Sequence, residues 1–482
     1  MRRQPRRAWL GVALMAALGG CVVGPSFVRP PPPLVDHYTR APLPEETAAA
    51  GGAQRFVTGA SVQSRWWTLL GSPKLDEMED AAIKANPNLA AAKAALRQAH
   101  ETYVAQRAAL FPAVEFAASA TRAKNSVTIA PPLNSNAEIY SLYTAQLNVS
   151  YVVDVFGGER RSVESAAATA EAQAYETDVV YLTLTANVAS AALQLASLND
   201  QTEATRRLIE ADRAILRIME SQRARGEASD ADVVAARATL EQAEQLAPTL
   251  RKQVDLQFDL LAGLLGRAPS DGPAERLSMT DFTLPRDLPV SLPATLVRQR
   301  PDVRAAEANV HAASALVGVA LAARLPSITL AGSAGGASEN IASLLSDSNT
   351  LWSIAGSVGQ TVFDAGALRH KQRAAEAGLD QAMALYRAAV LTGLQNTADT
   401  LQAIVDDAET AKHADASAGA TAESLRIARA QFAQGQSSVL PALNAEGADS
   451  LTRIAMIQAL TARYTDTVAL YQALGGGWRP AD

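Results

Sequence analysis

Between residues 142 and 156 the chain reads LYTAQLNVSYVVDVF, and its apolar and polar positions alternate with a period of two. Tyr143, Ala145, Leu147, Val149, Tyr151, Val153 and Val155 share one face, with Thr144, Gln146, Asn148, Ser150 and Asp154 on the other. That period predicts a β-strand. The segment LWSIAGSVGQTVF (351–363) repeats it, setting Trp352, Ile354, Val358 and Val362 against Ser353, Ser357 and Thr361. Weaker alternation follows Pro112 (Val114 and Phe116 against Glu115 and Ser119) and Pro326 (Ile328 and Leu330 against Ser327 and Thr329). Four strands are therefore expected, near 112–124, 142–156, 326–336 and 351–363. The stretches between them, 125–141 and 337–350, are rich in Asn, Ser and Pro, as exposed loops are.

After each strand pair the period changes to 3–4. VFGGERRSVESA (155–166) and VFDAGALRHKQRA (362–374) open long proline-free runs, predicting helices near 157–224 and 365–434. At ~1.5 Å per residue each would be on the order of 100 Å long. Charges run throughout the first (Glu159, Arg160, Glu164, Asp178, Glu203, Arg206), which excludes it from lipid, so such helices must pack sideways on others. Gly226 and Gly435 are placed to turn each one back into an antiparallel partner, near 229–265 and 442–474. The last helix carries the stripe for this packing: Leu451, Ile454, Ile457, Leu460, Tyr464, Val468, Tyr471 and Leu474.

The order repeats. Residues 81–121 align with 295–335 at a constant offset of 214, Pro87 falling on Pro301 and Pro112 on Pro326. The strand-to-helix joints follow at an offset near 207, and Gly226 falls on Gly435 at 209. Two repeats are expected, 66–285 and 286–482, behind an extended segment 21–65. Alternation equally suits an amphipathic soluble sheet. The pairing across repeats and the N-terminus favour a membrane sheet instead, lipid on one face and water on the other. One chain then supplies only four strands. Lipid cannot satisfy an open sheet edge and the smallest usual barrel has about eight strands, so copies must share one barrel.

The N-terminus MRRQPRRAWLGVALMAALGGCVVGPS has a basic start, a short apolar stretch (Ala8–Leu18) and small residues before the single cysteine. That predicts a signal peptide, 1–20. Leu18-Gly19-Gly20-Cys21 resembles the bacterial lipobox, which implies lipid attachment at Cys21 and, with Val22 after it, sorting to the outer membrane. No other apolar run reaches the ~18 residues of a spanning helix. Removing Arg2, Arg3, Arg6 and Arg7 changes the net charge from −6 to −10, and no Lys/Arg cluster follows, which argues against nucleic-acid binding. His37, His100, His311, His370 and His413 are scattered without metal-ligand spacing, and no GxxxxGK[ST] or GxSxG motif occurs. No cofactor and no enzymatic activity are expected.

Together CVVGPSFVRPPPP, WWTLLGSPKLDEM (66–78), ANPNLAAA, RPDVRAAE, VFDAGALR and YQALGGGW (471–478), in this order, resemble the TolC-like outer-membrane factors. The resemblance is to their lipoprotein branch, the NodT-type efflux lipoproteins of RND systems. It implies a mainly α protein with a transmembrane β-barrel: a homotrimer with a twelve-stranded barrel in outer-membrane lipid, a periplasmic α-helical barrel, and a collar from residues near 249–290 and the two ends. It implies a passive exit duct serving an inner-membrane RND pump and a periplasmic adaptor. It also implies a periplasmic gate at Leu440 and Asn444, with Asp232 and Phe432 as gate contacts. Asn444 replaces the family's usual aspartate, so a cation-binding carboxylate ring does not carry over, and Phe432 lacks the hydroxyl of the family's tyrosine. Competing readings are an exit channel for ABC-type secretion and a non-channel periplasmic lipoprotein.

Overall fold

The computed structural model describes residues 22–476, apart from 32, 34, 49, 50, 61, 125, 127, 129–137 and 273–275. Cys21, the signal segment and the chain from 477 onward fall outside them. In chain order the strands are β1 (Arg55–Thr58), β2 (Ala113–Lys124), β3 (Ile139–Val153), β4 (Asp287–Val290), β5 (Ser327–Ser338) and β6 (Thr350–Gly359). The helices are α1 (Pro73–Ala85), α2 (Pro87–Arg107), α3 (Gly158–Ala224), α4 (Asp230–Leu264), α5 (Pro293–Gln299), α6 (Pro301–Ala322), α7 (Ala367–Ala433) and α8 (Leu440–Ala473). The long helices α3 and α7 both have 67 residues. Two compact units emerge, and each draws on both halves of the sequence. The first takes the chain up to Pro30, Leu96–Gln173 and Ala306–Tyr386; the second takes Pro31–Ala95, Ala174–Ala305 and the chain from Arg387 onward.

The first unit holds a four-stranded antiparallel sheet in the order β2-β3-β5-β6. β3 stops at Val153 because Asp154 changes role: its carboxylate accepts the backbone N–H of Glu159 at 3.1 Å and of Arg160 at 2.9 Å, opening α3. Asp364 does the same for α7, accepting the N–H of Gly366 at 2.9 Å and of Leu368 at 2.7 Å. β6 ends at Gly359, which pairs with Ser327, the first residue of β5. Residues 360–363 continue the alternation but have no strand left to pair with, so Val362 and Phe363 stand outside the sheet and exposed.

Val22–Arg29 is clamped onto α3 and α6 in the same unit. Val23 N–H donates to the Phe156 carbonyl at 3.0 Å, and Arg161 Nε donates to the Val23 carbonyl at 3.3 Å. Gly24 lies so close to Gly318 that a Cβ on it would sit 2.5 Å from the Gly318 Cα. Phe27 stacks on His311 with ring centroids 4.5 Å apart, and His311 Nε2 lies 2.9 Å from Glu164. Arg29 reaches Glu307 at 2.6 Å.

The second unit is helical around a conventional core. Trp66, Trp67, Leu70, Leu75, Leu193, Leu261 and Tyr471 are fully buried, and Trp66 stacks on Tyr471 at 5.3 Å. Glu79 is buried in the same cluster, and burial raises its carboxyl well above the usual range. Arg463 of α8 is also fully buried and ties Thr47, Gly52 and Gln54 to the helix, donating to Thr47 Oγ1 at 2.7 Å, to the Gly52 carbonyl at 2.8 Å and to Gln54 Oε1 at 3.1 Å. β1 and β4 form a small parallel pair with Arg55 opposite Asp287. The alternation does not foretell these strands, which have four residues each, β4 with Pro289 inside it.

One expectation needs correcting. α3 and α6 each contain an 18-residue window apolar enough, by length and composition, to cross a membrane, and these windows are 61% and 50% buried in the protein. Alanine explains the difference: α3 threads Leu184, Ala186, Val188, Ala189 and Ala191–Leu193 into the second unit's core, so the apolar run is spent on packing against neighbours.

Candidate functional site

The register of the sheet fixes which side chains share a face, because residues directly opposite each other point the same way. Phe116 pairs with Leu147, Leu147 with Ala334, and Ala334 with Trp352. The row beside it runs Val114, Val149, Gly332, Ile354; further rows hold Tyr151 with Leu330, and Val153 with Ile328 and Val358. Of these, Phe116 is 67%, Trp352 76% and Ile354 83% exposed, while Tyr151, Val153 and Ile328 are half-buried. A contiguous apolar face of this extent marks a surface meant for something other than water. From Val153 to Tyr143 along β3 it spans on the order of 33 Å at ~3.3 Å per residue. At the usual barrel tilt that becomes about 25 Å, the height of an outer-membrane apolar band.

The opposite face is mainly polar or small, with Leu142, Val152 and Leu351 also on it. Ser119 and Thr144 hydrogen-bond at 2.8 Å, Ser333 and Ser353 at 2.9 Å, and Gln146, Asn148 and Ser357 lie among them. Glu115 carries the one carboxylate on the four strands of this sheet. Among the described residues β2 and β6 each pair along one edge alone, leaving a row of backbone donors and acceptors at both sides of the sheet.

At the ends of the long helices lie two turns of the same construction. Gly226 takes φ +76°; its N–H donates to the Arg223 carbonyl at 2.9 Å, and Glu227 N–H to the Gln222 carbonyl at 2.9 Å. Gly435 takes φ +69°, with its N–H on the Phe432 carbonyl at 3.0 Å and Gln436 N–H on the Gln431 carbonyl at 2.9 Å. Both are left-handed helix ends that a side chain would strain. The helices launched from the two turns begin differently. α4 starts with a capping box, in which Ser229 Oγ accepts the Asp232 N–H at 3.3 Å and Asp232 Oδ2 accepts the Ser229 N–H at 2.9 Å. These bonds, from the Ser229 backbone first and its hydroxyl second, hold the Asp232 carboxyl below the usual range. α8 starts at Leu440 with Pro441 in its first turn and no side-chain cap.

Of the residues the sequence singled out here, Leu440 is half-buried, Asn444 and Asp232 are exposed, and Phe432 is 48% exposed. The carboxylate of Asp232 is directed to Ser229, three residues back. The Ser229-x-x-Asp232 spacing was a readable signal for that box; nothing in the sequence advertised the paired caps at Asp154 and Asp364. Cys21 lies outside the described residues. Among the described residues no group of three or more His, Cys, Asp or Glu side chains comes together to hold a metal ion.

The profile of the outer membrane efflux protein family matches residues 79–267 and 292–476. The toluene efflux pump outer membrane protein TtgF of Pseudomonas putida is 30% identical over 475 residues, covering 98% of this chain and 97% of that one. The outer membrane protein OprJ of Pseudomonas aeruginosa is 28% identical over 481 residues, with 99% and 97% covered. Among solved structures the outer-membrane channel OprN superposes with a TM-score of 0.80 at 27% identity, over 95% of this chain and 100% of that one. The Campylobacter jejuni CmeC outer membrane channel has a TM-score of 0.84 over 95% of each chain; at 22% identity it speaks to the fold alone.

Proposed function

The chain belongs to the outer membrane efflux protein family, and from that premise we propose that three copies close one twelve-stranded barrel and act as the exit duct of a tripartite pump. That the protein is an outer-membrane efflux channel follows from its relatives and its fold. The family's role is transport. The observation that carries the trimer is the sheet: an apolar face, a mainly polar one, and two edges that have no partner among the described residues. Hydrocarbon cannot hydrogen-bond those edges, whereas β2 of one copy set against β6 of the next satisfies both. Three such sheets give twelve strands, within the range of closed membrane barrels.

In this reading the helices occupy the periplasm, Cys21 carries the lipid anchor, and an inner-membrane RND pump and a periplasmic adaptor deliver the cargo. The cargo is a small molecule, since one relative is named for toluene efflux and another for pyoverdine export. The periplasmic constriction lies where the turns after Gly226 and Gly435 converge. Leu440 and Asn444 line it, and Asp232 and Phe432 stand at its margin. Asn444 offers an amide in place of a carboxylate, so closure rests on apolar packing and helix twist; the engagement of Asp232 by Ser229 is consistent with that.

Single-channel recording in planar bilayers tests both parts. The wild-type protein, run as a heat-resistant trimer in SDS, gives a small conductance, and Leu440→Ala raises it several-fold. A monomer without conductance would remove the shared barrel; an unchanged conductance in Leu440→Ala would place the constriction elsewhere.

A further inference from the structure

The apolar face of the sheet ends abruptly at one rim. Beyond the row of Ala120, Tyr143 and Ser338, the outward positions of β2 are Arg122, opposite Ser141, and Lys124, opposite Ile139. They are the only cations on the four strands, and both are exposed. Neither forms an ion pair among the described residues. The single carboxylate of these strands, Glu115, lies on the other face and seven residues back along β2, roughly 23 Å away at ~3.3 Å per residue. Glu138, next to Ile139, has the inward parity of Tyr140. The second repeat has no counterpart: at the offset of 214 the equivalent positions in β5 are Gly336 and Ser338. Two outward cations side by side, with a tyrosine one row below and no ion pair among the described residues, are not needed to hold the sheet together.

We propose that this rim is a binding surface for phosphate-bearing headgroups of the outer leaflet. The inference rests on the reading of the sheet as spanning the outer membrane with its loops outward. The joints to α3 and α7 are at the other end of the strands, so Arg122 and Lys124 stand at the level of the outer leaflet's headgroups. A guanidinium meets a phosphate through two parallel N–H donors, and an ammonium adds a point charge. Tyr143 below them suits the boundary between headgroup and hydrocarbon, where aromatic residues with a polar tip collect. Strand pairing between copies covers edges and leaves this face open, so each copy offers one such patch.

The test is native mass spectrometry of the purified full-length trimer incubated with bis-phosphorylated lipid A, and in parallel with the same lipid enzymatically dephosphorylated. Each basic residue near an anionic surface is worth about fivefold in affinity, so the R122S/K124S protein should retain bound lipid A roughly tenfold or more below wild type. Arg122→Ser and Lys124→Ser singly should fall between, and R122K/K124R should keep most of it. Wild type should prefer the phosphorylated lipid, and the preference should vanish in R122S/K124S. Equal retention by wild type and R122S/K124S, or equal binding of the two lipids by wild type, overturns the proposal and assigns any binding to acyl chains on the apolar face. Pore formation in phosphatidylcholine bilayers, recorded for every preparation, separates the two levels. A wild type that forms no pore removes the spanning sheet and this proposal with it. A pore-forming wild type without phosphate preference removes this proposal alone.

Discussion

The two units of this protein sort their side chains in opposite senses. In the helical unit Trp66, Trp67 and Tyr471 are fully buried. In the sheet Trp352 is 76% exposed, while Ser333 and Ser353 hydrogen-bond across the other face. The same residue types thus mean different things depending on the solvent each region meets. The helical unit faces water and hides apolar area, as an ordinary core does. The sheet presents apolar area and keeps hydroxyls and amides on the face that would line a wet lumen. The inversion explains how a chain with a mean hydropathy of zero presents an apolar face: the apolar surplus is local and alternates with polar positions.

The contrast can be broken most severely in the helical core. Trp66→Ala removes a fully buried ring that stacks on Tyr471 and meets Trp67 edge to face; a loss of about 3–5 kcal/mol is expected, read as a large drop in the denaturation midpoint. Trp352→Ala on the sheet should leave that midpoint nearly unchanged. A charge probes the inversion next. Ile354→Arg places a cation in the middle of the apolar band and should cost about 2–4 kcal/mol, seen as lost trimer in the outer membrane. Ser353→Arg, its neighbour on the polar face, should assemble normally and alter conductance instead. Equal tolerance of both arginines would show that the sheet does not face lipid.

Smaller effects sharpen the comparison between the two hairpins. Ser229→Ala removes the capping box of α4 and should destabilise that helix by about 1 kcal/mol, measured as faster amide exchange over its first turn. The turn before α8 has no such box to lose. The second hairpin carries instead a carboxyl pair, Asp407 and Asp466, in which burial first and the hydrogen bond that protonated Asp466 makes to Asp407 second push Asp466 up to about 7. Its ordinary value lies near 4, so the folded state holds the extra proton. The stability contributed by that proton is full below about pH 4 and is lost as pH climbs through about 7. Asp466→Asn should therefore raise the melting temperature at pH 8 and change it little at pH 5, a difference calorimetry at the two pH values would expose.

Much of this was legible because the signals are local. The alternation in 142–156 and 351–363, the proline-free runs, and the glycines at 226 and 435 each depend on a few neighbouring residues, and the left-handed φ at both glycines follows from the absence of a Cβ. Strand ends were less legible. The alternation runs on through Asp154 and through Val362, yet the strands stop earlier: Asp154 is claimed by the first turn of α3, and β5 has no residue left to pair beyond Ser327. The clamp on Val22–Arg29 was invisible, since Arg161, Glu164, Glu307 and His311 come from two helices more than a hundred residues apart.

By itself, the sequence determined the long helices and the four strands of the larger sheet, their order and which strand positions are apolar, because backbone propensity and side-chain period act over a few residues. The tertiary structure decided the pairing of β3 with β5, which joins the two halves into one sheet, and with it the single outward face shared by all four strands. It also decided that the most apolar stretch of α3 is buried among Trp66, Leu261 and their neighbours. Those outcomes depend on contacts between residues far apart in the chain, whose free energies no local pattern encodes.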